Sequence, residues 1–443
     1  MSYFLFIIST ISQSVGGVGN VIPAGELGGR LFFYISVAFI ISAIIEWTLY
    51  PRVLGIFTKK YIFISVIIVL VIVSSSLINY ESINNTFGMG MTGWELFFRS
   101  AFVLVYMMIF FIFVAHMLES YQEPIEKYTY PFILLSWILI LVALLEIFSW
   151  YNEPVKSILV SIRTLYSTRP EVEPFRVAGL DYETSFYTIT LISCIPALLY
   201  SDLSYGKSVI NIRNAILLVI LGVSGSRTAM MYLALATLAS ILFVVNRDSL
   251  RKRLITLSIG FVLVLGPLFP FLAQAYNLES ESLSNLTRTL QAASASQLGF
   301  TYPFGFGFGQ ANIQVAANFA SRLIQSQEIE LFLTGARGQA FSPVYSWYAR
   351  TICEIGFVPY YLLVVAFCIA IHRVLSVSVR RCEEILVVST VVAFQAASFS
   401  FEGYHFWSLW QIVLVCCLVY GCSERNKRCS TINSQSKTGL SMR

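Results

Sequence analysis

The chain has 443 residues, of which 57% are hydrophobic, 15% are aromatic and only 12% are charged. A soluble domain carries about 25% charged residues, so the composition excludes soluble, fibrous and disordered proteins. Because a soluble fold cannot bury so much apolar surface, the excess must face lipid. The net charge of +5 would point to nucleic acid in a soluble protein, but here it bears on membrane orientation instead. The sequence predicts an all-α, polytopic integral membrane domain over residues 1–421 and a polar cytoplasmic tail over 422–443.

Apolar runs long enough for membrane helices of about 20 residues predict twelve spans, of which the first and seventh are the weakest. The first run resembles a secretory signal, but it lacks a basic leading segment and an A-x-A site, so we interpret it as a span. The predicted spans lie near residues 3–14, 30–50, 61–79, 96–115, 130–149, 184–200, 213–224, 229–246, 254–273, 346–371, 384–400 and 405–421.

Lysine and arginine prefer cytoplasmic connections, which sets the orientation of the spans. With both termini inside, 18 of the 29 basic residues fall in inner segments and 10 in outer segments, while Arg99 lies within a span. Short basic connectors such as RDSLRKR and HRVLSVSVRR then all lie inside. The sequence therefore predicts that both termini are cytoplasmic.

This orientation places two long loops outside, over residues 150–183 and 274–345. Aromatic and apolar residues persist through the second loop, and ANIQVAANFASRLIQSQEIELFL has helical periodicity. We therefore predict a partly helical cap on the outer face, because loops beyond about 15 residues usually carry function or disorder.

The outer basic residues are all arginines except Lys156. Long translocated loops escape the positive-inside rule. Arg30, Arg163 and Arg322 could therefore lie on the outer side without having any function. Guanidinium groups, however, bind phosphate through two parallel hydrogen bonds. A membrane enzyme that acts on a lipid-linked phosphate needs that chemistry at its outer surface.

The segment GVSGSRTAMMYLAL, residues 222–235, contains the most specific signal in the chain. Small residues break the apolar run between the seventh and eighth predicted spans, and Arg227 lies at that break. An arginine between apolar helices is costly unless it is paired, although snorkelling from a tight turn is the simpler alternative. The break also exposes N–H groups at the start of a helix, which suits an anion.

A second segment, RVAGLDYETSFYTITL, leads from the outside into the sixth predicted span. It contains Arg176 and Glu183. Glu183 fits either a general base or an acid that is stabilised by the helix dipole.

Two further segments belong to the outer face. PFGFGFGQ at 303–310 follows no predicted strand, so a tight turn explains it better than a nucleotide-binding loop. In SPVYSWYARTICEIGFVPYY, Arg350 and Glu354 are four residues apart and share a helix face, which predicts an internal ion pair as readily as a binding site.

Signals for metals and cofactors are absent from the sequence. It has no HExxH, DxD or nucleotide-binding motif, and its eight cysteines form no CxxC pair. His405 is the one histidine predicted to lie outside. We therefore predict neither a metal nor a cofactor, and no disulfide.

These motifs, in this order, resemble the O-antigen polymerase and O-antigen ligase superfamily of bacterial inner membranes. The resemblance covers about residues 176–375. It rests on Arg-x-x-Gly-Leu-x-x-Glu-x-Ser (Arg176 to Ser185), Ser-Gly-Ser-Arg-Thr (Ser224 to Thr228), Pro-Phe-Gly-x-Gly-x-Gly (Pro303 to Gly309) and Glu-x-Gly (Glu354 to Gly356).

The resemblance implies a GT-C-type glycosyltransferase that acts on undecaprenyl-pyrophosphate-linked glycans at the periplasmic face. Ligases of the superfamily carry a histidine about ten residues before the glycine of the Glu-x-Gly motif. That position is Tyr345 in this chain, followed by Ser346, which favours a polymerase. A ligase, or a flippase that transports lipid-linked oligosaccharide, is the alternative.

The polymerase hypothesis assigns a role to each candidate residue. Donor and acceptor are both undecaprenyl-pyrophosphate-linked glycans, the protein lies in the bilayer of the inner membrane, and a chain-length regulator and a flippase are candidate partners, with no nucleic acid. The predicted catalytic residues are Arg176, Glu183 and Arg227, and the predicted substrate-binding residues are Arg288, Arg337, Tyr345, Arg350 and His405.

Overall fold

The computed structural model describes residues 1–15, 30–51, 53–88, 91–164, 172, 176–179, 184–209, 211–272, 283–323, 344–378, 380–401, 403 and 407–440. Within these ranges the chain is all-helical except for a small antiparallel hairpin of β1 (Phe87–Gly88) and β2 (Met91–Thr92). The helices are α1 (Ser2–Ser12), α2 (Leu31–Leu49), α3 (Ile56–Ile78), α4 (Tyr80–Asn85), α5 (Gly93–Leu118), α6 (Pro124–Ser149), α7 (Glu153–Thr164), α8 (Thr184–Ser204), α9 (Ile212–Val223), α10 (Arg227–Leu242), α11 (Asp248–Leu265), α12 (Leu283–Thr301), α13 (Ala311–Leu323), α14 (Trp347–Ile355), α15 (Phe357–Val377), α16 (Arg381–Ser398) and α17 (Trp407–Leu440).

Among the described residues, seven helices are long and apolar enough to cross a membrane: α2, α3, α5, α6, α8, α15 and the first 20 residues of α17. Helices α1, α9 and α10 are apolar but shorter. All twelve predicted spans overlap helices, so the all-α prediction is confirmed and the architecture is that of a membrane-embedded helical protein. The count of twelve crossings stays a prediction.

One predicted span is wrong as a continuous helix. The apolar run near 346–371 is divided into α14 and α15 by Gly356, whose φ is +82°. A Cβ at this position would collide with the carbonyl group of Pro303. Hydropathy misses the break because apolar residues continue on both sides of it.

Local sequence signals explain where several helices begin. At the start of α5, the Thr92 hydroxyl accepts the N–H of Glu95, and the Glu95 carboxylate accepts the N–H of Thr92 at 2.7 Å. This capping box satisfies two N–H groups that would otherwise lack partners. At the start of α3, Glu119 accepts the N–H groups of Phe57 at 2.7 Å and Thr58 at 3.2 Å.

The main core lies around α8. In the most apolar 18-residue stretch of α8, 72% is buried inside the protein, whereas the corresponding share in α3 is 28%. Helix α8 therefore lies inside the bundle, while most of the surface of α3 faces outward from it. At the start of α17, the Trp407 ring lies within 6 Å of four aromatic rings, which makes it the centre of an aromatic cluster: Phe32, Phe110, Phe111 and Phe132.

A smaller second core joins α12, α13 and α14. Helix α12 approaches α14 closely, because a Cβ added to Gly299 would lie 2.6 Å from the backbone of Ile352. The described parts of the loop predicted over 274–345 are therefore partly helical, as expected. The other predicted long loop, 150–183, contains α7, and the predicted boundary at residue 421 falls inside α17.

Candidate functional site

The break predicted at Arg227 is a tight turn between α9 and α10. Gly225 has a φ of +63°, a conformation that glycine adopts at little cost. The Ser224 hydroxyl donates to the Leu221 carbonyl at 2.7 Å, which fixes the end of α9. Ser226 is the N-cap of α10 but makes no side-chain capping bond. The start of α10 is therefore open to an anion in the described structure, because the side chain of Ser226 caps none of its first N–H groups.

Arg227 is the first residue of α10, and its side chain is exposed. In the part of the chain that the structure describes, it makes no ion pair and no hydrogen bond. Desolvation by neighbouring groups lowers the pKa of Arg227, and the positive charge of Arg288 lowers it further. Beside it, Ser226 is 6% exposed and its hydroxyl has no partner. Positive charge and an unpaired hydroxyl thus lie together at a helix N-terminus.

Arg288 on α12 connects this break to Tyr345. Its guanidinium carbon lies 5.1 Å from the centroid of the Tyr345 ring, which is a cation–π distance. Tyr345 has a φ of +58° and is the one described residue other than glycine with a positive φ. Such backbone strain concentrates at functional sites. The structure therefore brings together three of the predicted residues, and we call Arg227, Arg288, Tyr345 and Ser226 the arginine cluster.

A second group of residues, which the sequence did not identify as a unit, joins α6, α7 and residues 176–179. Nη2 of Arg163 lies 2.7 Å from Oε1 of Glu146, and both side chains are almost completely buried. The same guanidinium donates twice to the Gly179 carbonyl, at 2.6 and 3.1 Å. Oε2 of Glu146 accepts the N–H groups of Ala178 and Gly179 at 3.1 and 2.7 Å. We call Glu146, Arg163 and Gly179 the clasp.

The clasp fixes the chain just after Arg176, which is exposed three residues before Gly179. Gly179 has a φ of +62°, and a Cβ there would collide with the ring of Tyr187. The sequence left open whether Arg163 has any role in its outer loop. In the structure it is a positioning residue for this segment. One sequence signal could have pointed to this pairing. Glu146 is an acid near the end of an apolar span, and an acid in that position predicts a buried partner.

Arg350 and Glu354 form the internal ion pair that was the alternative to substrate binding. Nε of Arg350 lies 2.9 Å from Oε1 of Glu354, and the two residues are 8% and 0% exposed. Arg350 also donates to the Ser100 hydroxyl at 3.4 Å. A substrate bound by Arg350 would therefore have to compete with Glu354 for its guanidinium group.

The glycine-rich segment 303–310 packs against the break between α14 and α15. The N–H groups of Phe306 and Gly307 donate to the carbonyls of Cys353 and Glu354, at 3.1 and 2.9 Å. Gly305, Gly307 and Gly309 all have positive φ values. The segment is thus a series of tight turns, as predicted, and it joins two of the motifs that carry the resemblance.

Three predicted site residues, Glu183, Arg337 and His405, lie outside the described residues. Among the residues that are described, no group of three or more His, Cys, Asp or Glu side chains is placed to hold a metal ion. Comparison with protein-family models, curated proteins and solved structures found no match to this chain.

Proposed function

We propose that the chain is a polymerase of O-antigen or a related polysaccharide, a GT-C-type glycosyltransferase that uses undecaprenyl-pyrophosphate-linked repeats. The observation that supports this most is Arg227, a cation without an acidic partner in the described structure, beside Arg288 and an uncapped helix N-terminus. An anion bound at Arg227 offsets the positive charge that Arg288 exerts on it. Pyrophosphate is such an anion.

The proposed reaction transfers the growing glycan to a hydroxyl of the non-reducing sugar of a new lipid-linked repeat. The bond from the anomeric carbon to the pyrophosphate oxygen breaks, and a bond to the acceptor oxygen forms. Undecaprenyl pyrophosphate leaves with the bonding electron pair, and the acceptor proton goes to a base, for which Glu183 is the candidate. Arg227, Arg288 and the N–H groups of α10 stabilise the charge that develops on the leaving group.

Tyr345 favours a polymerase over a ligase. It occupies the position at which ligases of the superfamily carry histidine, and its ring packs against the guanidinium of Arg288. A tyrosine with an ordinary pKa near 10 is a poor general base at neutral pH. Its ring and hydroxyl instead suit contacts with a cation and a sugar.

The proposal includes twelve crossings of the bacterial inner membrane, cytoplasmic termini and a periplasmic arginine cluster. The basic inner connectors support this orientation. A chain-length regulator and a flippase are the proposed protein partners.

The test is the lipopolysaccharide ladder of a strain from which the gene has been deleted. A polymerase deletion leaves core capped with single repeats, and the unmodified chain restores the ladder. Uncapped core would identify a ligase. Loss of all capped core together with accumulation of lipid-linked repeats on the cytoplasmic side would identify a flippase, and either result would overturn the proposal.

A further inference from the structure

A cavity of about 20 Å³ lies between α1, α2, α8 and α17 and contains no residue of the arginine cluster. Its volume has room for about one water-sized group. Three aromatic residues and an isoleucine form its walls, together with polar side chains: Gln13, Arg30, Phe32, Phe186, Ile189, Thr190, Ser193 and Trp407.

The unpaired polar atoms of this cavity are hydrogen-bond donors. Nε2 of Gln13 and Nε1 of Trp407 have no partner, although the two residues are only 6% and 4% exposed. The hydroxyls of Thr190 and Ser193 already donate to carbonyls on their own helix, at 3.1 and 2.8 Å. Two residues of the cavity lining therefore carry N–H groups that no atom in the described part of the chain accepts, and leaving them unpaired is costly.

The charge at the cavity is positive. The guanidinium of Arg30 lies 4.9 Å from the centroid of the Phe186 ring and makes no ion pair or hydrogen bond in the described structure. No carboxylate appears among the described residues that line the cavity. A water molecule can satisfy the N–H groups, but it leaves this charge uncompensated.

Three helices also begin at this cavity. Phe32, Phe186 and Trp407 are the second, third and first residues of α2, α8 and α17, respectively. Arg30, the N-cap of α2, makes no side-chain capping bond, in contrast to α3, whose first N–H groups are accepted by Glu119. Three positive helix ends outweigh the one negative end, that of α1 at Gln13.

We propose that this cavity is an oxyanion site that takes one oxygen of a phosphate group, with the rest of the ligand outside. Donors without acceptors, an unpaired guanidinium and helix N-termini are all complementary to phosphate oxygen. The phosphate belongs either to a lipid headgroup or to free phosphate. The inference does not depend on glycosyl transfer.

The test compares apparent dissociation constants, obtained from ligand-dependent shifts in unfolding temperature, for the purified protein in dodecyl maltoside micelles. The probes are inorganic phosphate and dioctanoyl phosphatidic acid, at constant ionic strength. Trp407→Phe keeps the ring but removes the donor, and Arg30→Gln removes the charge. Lys156→Gln removes an exposed charge elsewhere and is the matched control. Every variant is also made in an Arg227→Ala background, so that phosphate binding at the arginine cluster does not contribute.

We expect Trp407→Phe and Arg30→Gln each to weaken binding about tenfold or more, and Lys156→Gln to leave it unchanged. Stabilisation by both probes supports the site with free phosphate as a sufficient ligand. Stabilisation by phosphatidic acid alone supports it with a lipid headgroup as the ligand. The proposal is wrong if neither probe stabilises the protein, or if both variants bind as well as their parent.

Discussion

Arg163 in the clasp and Arg227 in the arginine cluster are both arginines, but they differ in burial and in their partners within the protein. Arg163 is 2% exposed and is held by the Glu146 carboxylate and the Gly179 carbonyl. Arg227 is exposed, has no acidic partner in the described structure and is influenced by the positive charge of Arg288. Hydrogen bonds and charge are satisfied within the protein in the first case, whereas no described protein group satisfies them in the second. The number of internal partners, rather than the residue type, separates a structural arginine from a candidate binding arginine.

The largest expected effect is on stability, at the clasp. Glu146→Gln leaves Arg163 as an uncompensated buried charge, which typically costs about 3–5 kcal/mol. Replacing both partners by apolar residues removes that charge, so the double variant Glu146→Leu/Arg163→Met is expected to be more stable than Glu146→Gln.

The measurement is the free energy of unfolding in mixed micelles. Glu153→Gln is the matched control, because Glu153 pairs with Lys156 at 3.0 Å on the exposed surface of α7. Equal stability of Glu146→Gln and Glu153→Gln would remove the distinction between the clasp and surface ion pairs.

The next effect is on activity, at the arginine cluster. Arg227→Ala is expected to lower chain extension about 100- to 1,000-fold, the range found when one preorganised donor to a developing anion is removed. Arg227→Lys should restore only part of it, because an ammonium keeps the charge but loses the two parallel hydrogen bonds.

Ladder length in a polymerase-null strain measures this, with immunoblots showing that each variant is inserted and abundant. Normal long-chain product from Arg227→Ala at ordinary expression would place Arg227 among the structural arginines.

A small effect is expected at Tyr345. Tyr345→Phe keeps the ring beneath Arg288, so polymerisation should remain within a few-fold of normal. Tyr345→His should not create ligase activity, because the acceptor surface for lipid A core would still be missing. Complementation of a polymerase-null and a ligase-null strain tests the two variants separately. Loss of the ladder in Tyr345→Phe would show that the hydroxyl is essential, and capped core from Tyr345→His would contradict the acceptor argument.

Cysteine labelling tests whether the outer loops are periplasmic. It concerns only the topology, so no effect on activity is expected. Single cysteines at Ser157, exposed on α7, and at Ser326, outside the described residues, are introduced into a cysteine-free chain. Both should react with an impermeant maleimide in intact spheroplasts. Reaction only after lysis would place the loops in the cytoplasm.

The sequence alone predicted the break at Arg227, because glycine and serine interrupt an apolar run there. It did not predict that Arg288 lies beside Arg227, since the two residues belong to helices separated by α11 and their approach depends on tertiary packing. The clasp was missed for a related reason. Glu146 and Arg163 are 17 residues apart, and their pairing depends on a backbone turn at Gly179 that hydropathy does not encode.

Helix boundaries differed in how far the sequence could locate them. Apolar runs predicted the helices of the bundle well, because lipid-facing and core-facing residues are both apolar. The same property concealed the division at Gly356, where a positive φ and close contact with Pro303, rather than polarity, end α14. The glycine-rich segment was correctly predicted as a turn, but its partner could only be seen in the structure.

The most direct test of the central claim is the binding of undecaprenyl pyrophosphate to purified wild-type protein, Arg227→Ala and Lys156→Ala. If Arg227 holds the leaving group, Arg227→Ala should bind it at least about tenfold more weakly, because charge-assisted hydrogen bonds are lost. Lys156→Ala should bind it like the wild type. Equal affinity of all three proteins would contradict the assignment of the arginine cluster as the site of the lipid-linked pyrophosphate.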